Sequence, residues 1–290
     1  MGGSFALGLK QAGLVAHVAG YGRSAATLQR ALALGAIDSA HPQLADAVRG
    51  ADLVLLAVPV AATEATLAAL ASHLSGDALL MDVGSTKSDV VAAARQVFQG
   101  ALAPRLARFV PAHPIAGKEQ AGIEHADANL YRQRPLVLTP LADNPPALVQ
   151  RATALWQRLG SQVHQMSPEQ HDATYAAVSH LPHLLAFAAM HALLAQPQGA
   201  DYLRLAGPGF RDFSRIAASD PSIWRDILLA NRTQVQQQLA LLRQSLATFE
   251  ATLQAGDGPA LQALITQASQ ARAGWQLNAA AAGQPPSAED

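Results

Sequence analysis

The segment ADLVLLAV at residues 51–58 decides the fold. It has the length of a strand, is almost entirely apolar, and is followed directly by Pro59. A second segment of this kind, ALLMDV, occupies residues 78–83. Strands that are buried on both faces of a parallel sheet have this continuous apolar composition. A helical pattern at residues 63–74 separates the two segments, so we predict right-handed βαβ units and a mostly parallel sheet.

Helical and strand-like patterns alternate throughout the first part of the chain. The other elements predicted there are helices at residues 4–12 and 24–34 and strands at residues 15–21, 108–111, 135–139 and 161–166. This order of elements is typical of an α/β, Rossmann-like nucleotide-binding domain, which we place at residues 1–166.

The pattern changes at Ser167, which precedes Pro168 and is a good helix start. Beyond it we find no strand pattern, and residues 172–194 and 223–253 form long helical stretches. We therefore predict an all-helical domain at residues 167–278. The Pro-, Ala- and Gly-rich tail at residues 279–290 is predicted to be disordered.

The composition excludes several classes of protein. Half of the 290 residues are hydrophobic and 14% are charged, against roughly 25% charged in a typical domain. The net charge of −1 gives no overall basic surface for nucleic acid or anionic lipid. The absence of cysteine excludes disulfides and thiolate metal sites. The longest uncharged apolar stretches are shorter than the roughly 18 residues of a membrane helix, and the start lacks a signal-peptide pattern. We therefore expect a cytoplasmic protein without a metal or a membrane partner.

The N-terminus resembles a dinucleotide-binding domain that starts late. Such a domain normally opens with an apolar strand, the pattern G-x-G-x-x-G and a helix. Here Gly2 stands at the position of the third glycine and Gly3 follows it, while the first strand and the first two glycines are missing. We expect both glycines to approach the cofactor, and the alternative is a merely flexible start.

The end of the strand predicted at residues 15–21 favours NADP over NAD. An Asp or Glu usually stands there and holds the ribose 2′-hydroxyl of NAD. This chain has Gly22, followed by Arg23 and Ser24. A guanidinium and a hydroxyl at a helix N-terminus favour a phosphate dianion. The alternative is that Arg23 is a solvated charge and Ser24 only a helix cap. Further cofactor contacts are predicted at the strand ends, where such ligands gather: Val58, Pro59, Gly84 and Ser85.

Two clusters contain histidines suited to chemistry. His113 lies in PAHPIAGKE at residues 111–119 and is a candidate general base, because the pKa of imidazole lies near the operating pH. Its alternative role is that of a satisfied structural histidine. In SHLPH, the spacing places His180 and His183 on one helix face, and Pro182 suggests a kink. Without cysteine or an H-E-x-x-H pattern, a metal site is disfavoured there.

A third cluster concentrates charge in an otherwise charge-poor region. Arg211, Asp212 and Arg215 lie in GFRDFSRI at residues 209–216. Arginine suits bidentate binding of a substrate carboxylate, and the alternative is an internal salt-bridge network. Asp220 before a proline is a helix start signal.

Four motifs in this order resemble the prephenate/arogenate dehydrogenases of tyrosine biosynthesis. They are D-x-G-S-x-K at residues 82–87, H-P-I-A-G-x-E at 113–119, S-H-L-P-H at 179–183 and G-F-R-D-x-x-R-I-A-x-S-D-P-x-x-W at 209–224. The resemblance covers residues 1–274. It implies oxidative decarboxylation of prephenate or arogenate with NADP or NAD, by a homodimer that pairs through the helical domain.

The resemblance also implies roles for individual residues. His113 is the expected base for the C4 hydroxyl, Ser85 the expected hydrogen-bond partner of that hydroxyl or of the nicotinamide amide, and Arg215 the expected holder of the ring carboxylate. The other residues expected on the substrate side are His183 near the substrate side chain, Glu119 and Asp212 as gating or ion-pair residues, and Trp224 as a pocket wall. His180 is expected to be structural.

Two alternatives stay open at this point. The first is a non-catalytic NADP-binding or dimerisation protein, because the chain lacks the first strand of such a domain. The second is a dehydrogenase of the 3-hydroxyacid or 6-phosphogluconate type, which is disfavoured because those enzymes depend on a helix lysine where this chain offers His113. One charge near Asp212 or His183 would decide between prephenate and arogenate, which differ in a keto or amino group. Inhibition by tyrosine is left open.

Overall fold

The computed structural model describes residues 1–74, 76–117 and 122–275. The strands in this part of the chain are β1 (Ala19–Tyr21), β2 (Ser39–His41), β3 (Leu53–Leu56), β4 (Leu79–Asp82), β5 (Ala112–Pro114), β6 (Pro135–Leu138) and β7 (Gln162–Gln165). The predicted tail at residues 279–290 lies outside the described residues.

The helices run through the whole described chain. They are α1 (Gly2–Gln11), α2 (Ala25–Ala33), α3 (Leu44–Val48), α4 (Thr63–Leu70), α5 (Ser88–Val97), α6 (Ala103–Leu106), α7 (Pro146–Arg158), α8 (Pro168–Tyr175), α9 (Leu181–Leu194), α10 (Gly199–Arg204), α11 (Pro208–Ser214), α12 (Pro221–Ala230), α13 (Arg232–Ala255) and α14 (Gly258–Gly274). A π-helical turn, Ala176–His180, joins α8 to α9. Short 3-10 turns include Val60–Ala62 and Arg215–Ala218.

The strand pairing is mostly parallel, as predicted. β1 pairs with β2, β3 with β4, and β6 with β7, all parallel. β5 is the exception, because it runs antiparallel to β6. The strand predicted at residues 108–111 is wrong in position. Phe109 makes one parallel bridge to Leu80, and the strand itself starts after Pro111, which has no N–H for a ladder.

The strand predicted at residues 15–21 is shorter than expected. Only Ala19–Tyr21 forms it, because the Val18 N–H donates to the Asp38 carboxylate at 2.8 Å instead of a neighbouring strand. Its partner β2 was not predicted, since Ser39–His41 carries no apolar run.

β4 lies at the centre of the hydrophobic core. All four of its residues are buried. Leu79 and Met81 pack in one cluster with Phe5 and others, whereas Leu80 packs in a second cluster on the opposite face. This double burial explains the apolar run in the sequence. On one side the Phe5 and Trp156 rings lie 4.8 Å apart.

Three predicted helix starts are confirmed by their caps. The Ser24 hydroxyl accepts from the backbone N–H of the third residue of α2, and Ser167 forms a full capping box with Gln170. The Asp220 carboxylate accepts from the first backbone N–H groups of α12. The single helix predicted at residues 223–253 is interrupted at Asn231, between α12 and α13.

The helical run Pro168–Leu194 corrects the expectation that no segment is long enough to span a membrane. By length and composition alone it qualifies. Core helices of soluble proteins pass the same test, so one such run is weak evidence for a span. Pro182 lies inside this continuous run and has no N–H to donate to the preceding turn. The irregularity expected from it is present as the π-helical turn directly before α9.

The described chain divides into two compact units. Met1–Val235 forms the first and includes all seven strands, and the second begins at Gln236. Within the first unit, α8 packs against α5, and α12 packs against the turn Val60–Ala62. These two contacts attach the helical region to the α/β region.

Candidate active site

Asp82, at the carboxyl end of β4, holds the loop that follows it. One carboxylate oxygen accepts from the Ala112 N–H at 3.0 Å. The other accepts from the Gly84 N–H at 2.8 Å and from Nζ of Lys87. Asp82 and Lys87 are both buried. This buried ion pair therefore joins the loop after β4 to the start of β5.

The loop is tight enough to require glycine. A Cβ at position 84 would lie 2.9 Å from the Asp82 carboxylate and 3.5 Å from Nζ of Lys87. Ser85 follows and is half-buried. Because Asp82 also bonds to Ala112, the loop carrying Ser85 and the strand carrying His113 lie next to each other. The structure thus brings together the two stretches predicted to be catalytic.

His113 is hydrogen-bonded to a histidine that the sequence did not single out. Its Nδ1 lies 2.8 Å from Nε2 of His171, on α8. The Nδ1 atom of His171 in turn lies 2.8 Å from the Asp172 carboxylate. The Tyr175 ring packs one helical turn further along α8, 5.1 Å from the His113 ring. His113 is half-buried, while His171 and Asp172 are buried.

Asp172 also holds the start of α5. Its two oxygens accept from the backbone N–H groups of Lys87 at 2.9 Å and Ser88 at 2.8 Å. Free N–H groups and the helix dipole make the first turn of a helix a favourable place for a carboxylate. One side chain from α8 therefore anchors α5 and His171 together.

Burial keeps the site histidines neutral. It lowers the pKa of His113 well below its usual range, and the neighbouring His171 adds to this. Burial also lowers the pKa of His171, and it lowers that of His180 to about 4. For Asp172 burial raises the pKa, but the hydrogen bonds from His171 and Ser88 outweigh it and leave the pKa below its usual value. At neutral pH the network is one carboxylate with neutral imidazoles.

A second cluster contains three of the predicted substrate residues. The His183 and Trp224 rings stack at 3.5 Å with an interplanar angle of 18°. The His183 Nδ1 atom lies 2.9 Å from the Ser179 carbonyl oxygen. Burial lowers the pKa of His183, and the nearby Arg215 guanidinium acts in the same direction. Arg215 begins an exposed turn that packs against α9.

Asn231 joins the two clusters. Its side-chain amide donates to the Asp172 carbonyl oxygen at 2.8 Å and lies 3.0 Å from Nδ1 of His180. The His180 ring packs edge-on to Trp224 at 6.1 Å. His180 is buried, in agreement with its expected structural role. A continuous series of contacts thus runs from His113 to the stacked pair.

Asp212, another predicted residue, has different surroundings. Asp212 forms an ion pair with Arg211 at 3.1 Å, and both side chains are exposed. The alternative role of this cluster, an internal salt-bridge network, is therefore not met at Asp212, whose pair with Arg211 lies on the surface. Glu119 lies outside the described residues.

Gly2 and Gly3 allow close packing of α1. A Cβ on Gly2 would lie 2.8 Å from Cβ of Ala57, directly after β3, and one on Gly3 would lie 2.4 Å from Ile123. Close helix–strand packing is the role of the third glycine in the dinucleotide fingerprint. A Cβ at either position would meet a protein side chain, and the approach of these glycines to the cofactor stays a prediction.

Arg23 faces a cleft of about 300 Å³. Its lining includes Pro59, after β3, and Ser222 and Arg225, from α12. Ser24 beside it is the cap of α2, as its alternative role required. Val58 is half-buried at the end of β3. The cleft is also lined by Asp226, whose carboxylate pairs with Arg225 at 2.7 Å, so its charged side chains are two guanidinium groups and one carboxylate. The remaining positive charge suits the anionic part of a dinucleotide.

Sequence reasoning missed the residues that connect these parts, namely His171, Asp172, Tyr175 and Asn231. It quoted Asp82 and Lys87 in a motif without assigning them a role. A His-Asp pair just after the helix start at Ser167 was the available signal. Its proximity to His113 depends on how α8 packs.

Comparison with known proteins identifies the family. A model described as prephenate dehydrogenase, nucleotide-binding domain, matches residues 5–165, and one described as prephenate dehydrogenase, dimerization domain, matches residues 167–267. The chain is 34% identical over 254 residues to cyclohexadienyl dehydrogenase of Zymomonas mobilis, covering 87% of this chain and 85% of that protein. It is 35% identical over 241 residues to prephenate dehydrogenase of Bacillus subtilis, covering 81% of this chain and 62% of that protein, less than two thirds of its length.

Solved structures agree with this result. The prephenate dehydrogenase of Aquifex aeolicus, in complex with hydroxyphenyl propionate and NAD+, has a TM-score of 0.86 at 33% identity and covers 93% of both chains. The arogenate dehydrogenase of Synechocystis has a TM-score of 0.79 at 28% identity, covering 93% of this chain and 95% of that one. The chain belongs to the prephenate dehydrogenase family, whose members are NAD(P)-dependent oxidoreductases that carry out an oxidative decarboxylation in tyrosine biosynthesis.

Proposed function

We propose that this protein oxidises prephenate, arogenate or both, that His113 is its base, and that NADP is its preferred cofactor. The observation that carries the proposal is the position of His113. It lies beside the loop at the carboxyl end of β4, where cofactors of such sheets gather, and it is held in a buried hydrogen-bond network.

In the proposed reaction the protein forms no covalent bond to the substrate. A nicotinamide held at the carboxyl ends of the strands would supply the acceptor for the hydride that leaves C4 of the substrate. His113 takes the proton of the C4 hydroxyl as the hydride departs, and the ring carboxylate leaves as CO₂. The proton returns to the same oxygen, which is the phenol oxygen of the aromatic product, so His113 is regenerated. Aromatisation supplies the driving force, and the protein's contribution is alignment and proton transfer.

The second cluster suits the anionic arms of the substrate. Arg215 offers a fork of N–H donors for the ring carboxylate. His183 donates from Nδ1 to the Ser179 carbonyl, so in its neutral form Nε2 is free of a proton and accepts a hydrogen bond. Its stacked partner Trp224 supplies a flat wall. Ser85 is proposed to bond to the C4 hydroxyl or to the nicotinamide amide, and Asp212 and Glu119 to act as ion-pair or gating residues.

The cofactor preference rests on the cleft beside Arg23. With Gly22 at its end, β1 itself does not present the carboxylate that would repel a 2′-phosphate. Arg23 and Arg225 line the same cleft, together with Ser222 and with Asp226, whose carboxylate pairs with Arg225 at 2.7 Å. The lining therefore has one guanidinium in excess of its carboxylate, which favours a phosphate dianion over a ribose hydroxyl.

The assembly is proposed to be a homodimer in the cytoplasm that pairs through the helical domain at residues 167–278, since the matched model of that region is a dimerization domain. The α/β domain at residues 1–166 is proposed to bind the cofactor and the helical domain to complete the substrate site. Nucleic-acid and membrane partners are not expected.

The deciding experiment is a spectrophotometric assay. Purified protein is given prephenate or arogenate with NADP or NAD, and absorbance at the reduced-nicotinamide band is followed together with release of CO₂. The expected result is equimolar reduced cofactor and CO₂ with at least one substrate, faster with NADP. Absence of turnover with all four pairs, in protein that is folded by circular dichroism, would instead favour a non-catalytic binding protein.

A further inference from the structure

We propose that His171 and Asp172 are positioning residues that fix the tautomer of His113, so that its Nε2 atom is the one without a proton and takes the proton of the substrate. The inference rests on the proposed role of His113 as base. It adds which nitrogen acts and which residues decide this.

The argument starts at Asp172. As an ionised carboxylate it only accepts hydrogen bonds. Its partner 2.8 Å away, Nδ1 of His171, must therefore carry a proton and donate it. Because His171 is neutral when its pKa is lowered by burial, the other ring nitrogen, Nε2, has no proton and is an acceptor.

The same logic passes to His113. Its Nδ1 atom lies 2.8 Å from the acceptor Nε2 of His171, so His113 donates through Nδ1. A neutral imidazole has only one N–H, and burial keeps His113 neutral. The proton is therefore absent from Nε2, which is left as a base. The opposite tautomer would place two lone pairs face to face across 2.8 Å.

The orientation of Asp172 is itself fixed. Its oxygens accept from the backbone N–H groups of Lys87 and Ser88, so the carboxylate cannot rotate without breaking two bonds. The other titratable groups around the Asp172–His171–His113 hydrogen bonds are the Asp82–Lys87 ion pair, His180 and Tyr175. Burial raises the pKa of Tyr175 to about 12. None of these makes the hydrogen bond to Nδ1 of His113, and His171 makes it.

Two substitutions of His171 separate positioning from packing. In His171→Gln the side-chain oxygen reaches the place of Nε2 and accepts from Nδ1 of His113. In His171→Leu the volume is similar and the acceptor is lost. Asp46→Asn, which breaks the exposed pair with Arg49, is the matched control for a loss of one charge in Asp172→Asn.

The first measurement is ¹⁵N NMR of protein labelled at its ten histidines, without substrate or cofactor. The resonances of residue 113 are assigned by their loss in His113→Asn. The expected spectrum shows Nδ1 protonated and Nε2 unprotonated in the parent and in His171→Gln, with the proton moving to Nε2 in His171→Leu. A parent protein with its proton on Nε2 overturns the inference, whether or not the protein turns over substrate.

The second measurement is steady-state kinetics. We expect His171→Leu and Asp172→Asn to lower kcat by roughly 10–10³-fold with little change in KM, which is less than the roughly 10²–10⁴-fold contribution of a positioned base. His171→Gln should retain most of kcat. His113→Asn combined with Asp172→Asn should be no slower than His113→Asn alone, because both changes remove the same function. Losses that multiply in the double variant, or equal losses in His171→Leu and His171→Gln, contradict the inference. If no substrate turns over, the proposed function fails while the NMR result still tests the tautomer.

Discussion

Nδ1 of His113 on β5 lies 2.8 Å from Nε2 of His171 on α8, 58 residues further along the chain. This hydrogen bond crosses from the region matched by the nucleotide-binding model to the region matched by the dimerization model. Asp172, the next residue, crosses in the same place to the backbone of α5. The candidate active site therefore lies where the two regions meet, and the hydrogen-bond network around His113 has members from both.

The role of His113 is tested by His113→Asn. The Asn side chain reaches the place of Nδ1 and can keep a hydrogen bond to His171, but it has no counterpart of Nε2. We expect kcat to fall by roughly 10²–10⁴-fold with KM for the substrate little changed. Steady-state kinetics measure both, and a variant with nearly normal kcat would show that another group takes the proton.

The carboxylate clamp is tested by Arg215→Ala. Loss of a charge-assisted pair worth about 1.5–3 kcal/mol should raise the KM for prephenate or arogenate by roughly 10–100-fold. Arg204→Ala removes an exposed arginine that is paired with Asp201, and it should leave KM unchanged. A fall in kcat alone would assign Arg215 to the transition state or to the structure instead.

The fold was predictable where a local sequence pattern, an apolar run or a helix cap, specifies the element. β3 and β4 were found because strands buried on both faces need apolar residues throughout. Helix starts were found because Ser24, Ser167 and Asp220 satisfy backbone N–H groups locally. The antiparallel direction of β5 was missed, because direction depends on pairing with residues that are distant in sequence.

The site was predictable only in its motifs. His183, Trp224 and Arg215 were expected near the substrate, and the structure brings them together. The contribution of His171 and Asp172 was not predicted, since an adjacent His-Asp pair is ordinary on a helix surface. The pair reaches His113 because α8 packs on α5, a tertiary contact that no local pattern encodes.

The buried histidines should make the protein less stable in mild acid. The pKa of His180 falls from 6.5 to about 4 on folding. Between these pH values His180 is protonated in the unfolded chain and neutral in the folded one. The free energy of unfolding should therefore fall as pH drops from 6.5 towards 4, by up to about 1.4 kcal/mol per pH unit for each such group.

Thermal unfolding at several pH values between 7 and 4, followed by circular dichroism, measures this dependence. His180→Asn removes the titrating group, so we expect its stability to fall less steeply with acid than that of the parent. His73→Asn removes an exposed histidine and should leave the slope unchanged. Parallel pH dependences in parent and His180→Asn would mean that His180 titrates alike in both states.

Cofactor choice is tested at the cleft that Arg23 and Arg225 share. Gly22→Asp places a carboxylate where it accepts from a ribose 2′-hydroxyl and repels a phosphate. A Cβ at this position would lie 3.8 Å from Leu28, an ordinary contact, so the substitution fits. We expect the parent to prefer NADP and Gly22→Asp to prefer NAD.

The arginines should act on NADP alone. Because each supplies a charge-assisted contact to the 2′-phosphate, Arg23→Ala and Arg225→Ala should lower kcat/KM for NADP by roughly 10–100-fold and leave the value for NAD nearly unchanged. Arg30→Ala is the matched control, since Arg30 lies on α2, the helix that follows Arg23, and pairs with Glu124 outside the cleft lining. The quantity to compare is the ratio of kcat/KM for the two cofactors in each protein. Two results together would contradict this prediction: a parent that prefers NAD, and an Arg23→Ala variant in which kcat/KM falls equally for both cofactors. Arg23 would then be a surface charge, and the cleft would not distinguish a 2′-phosphate from a 2′-hydroxyl.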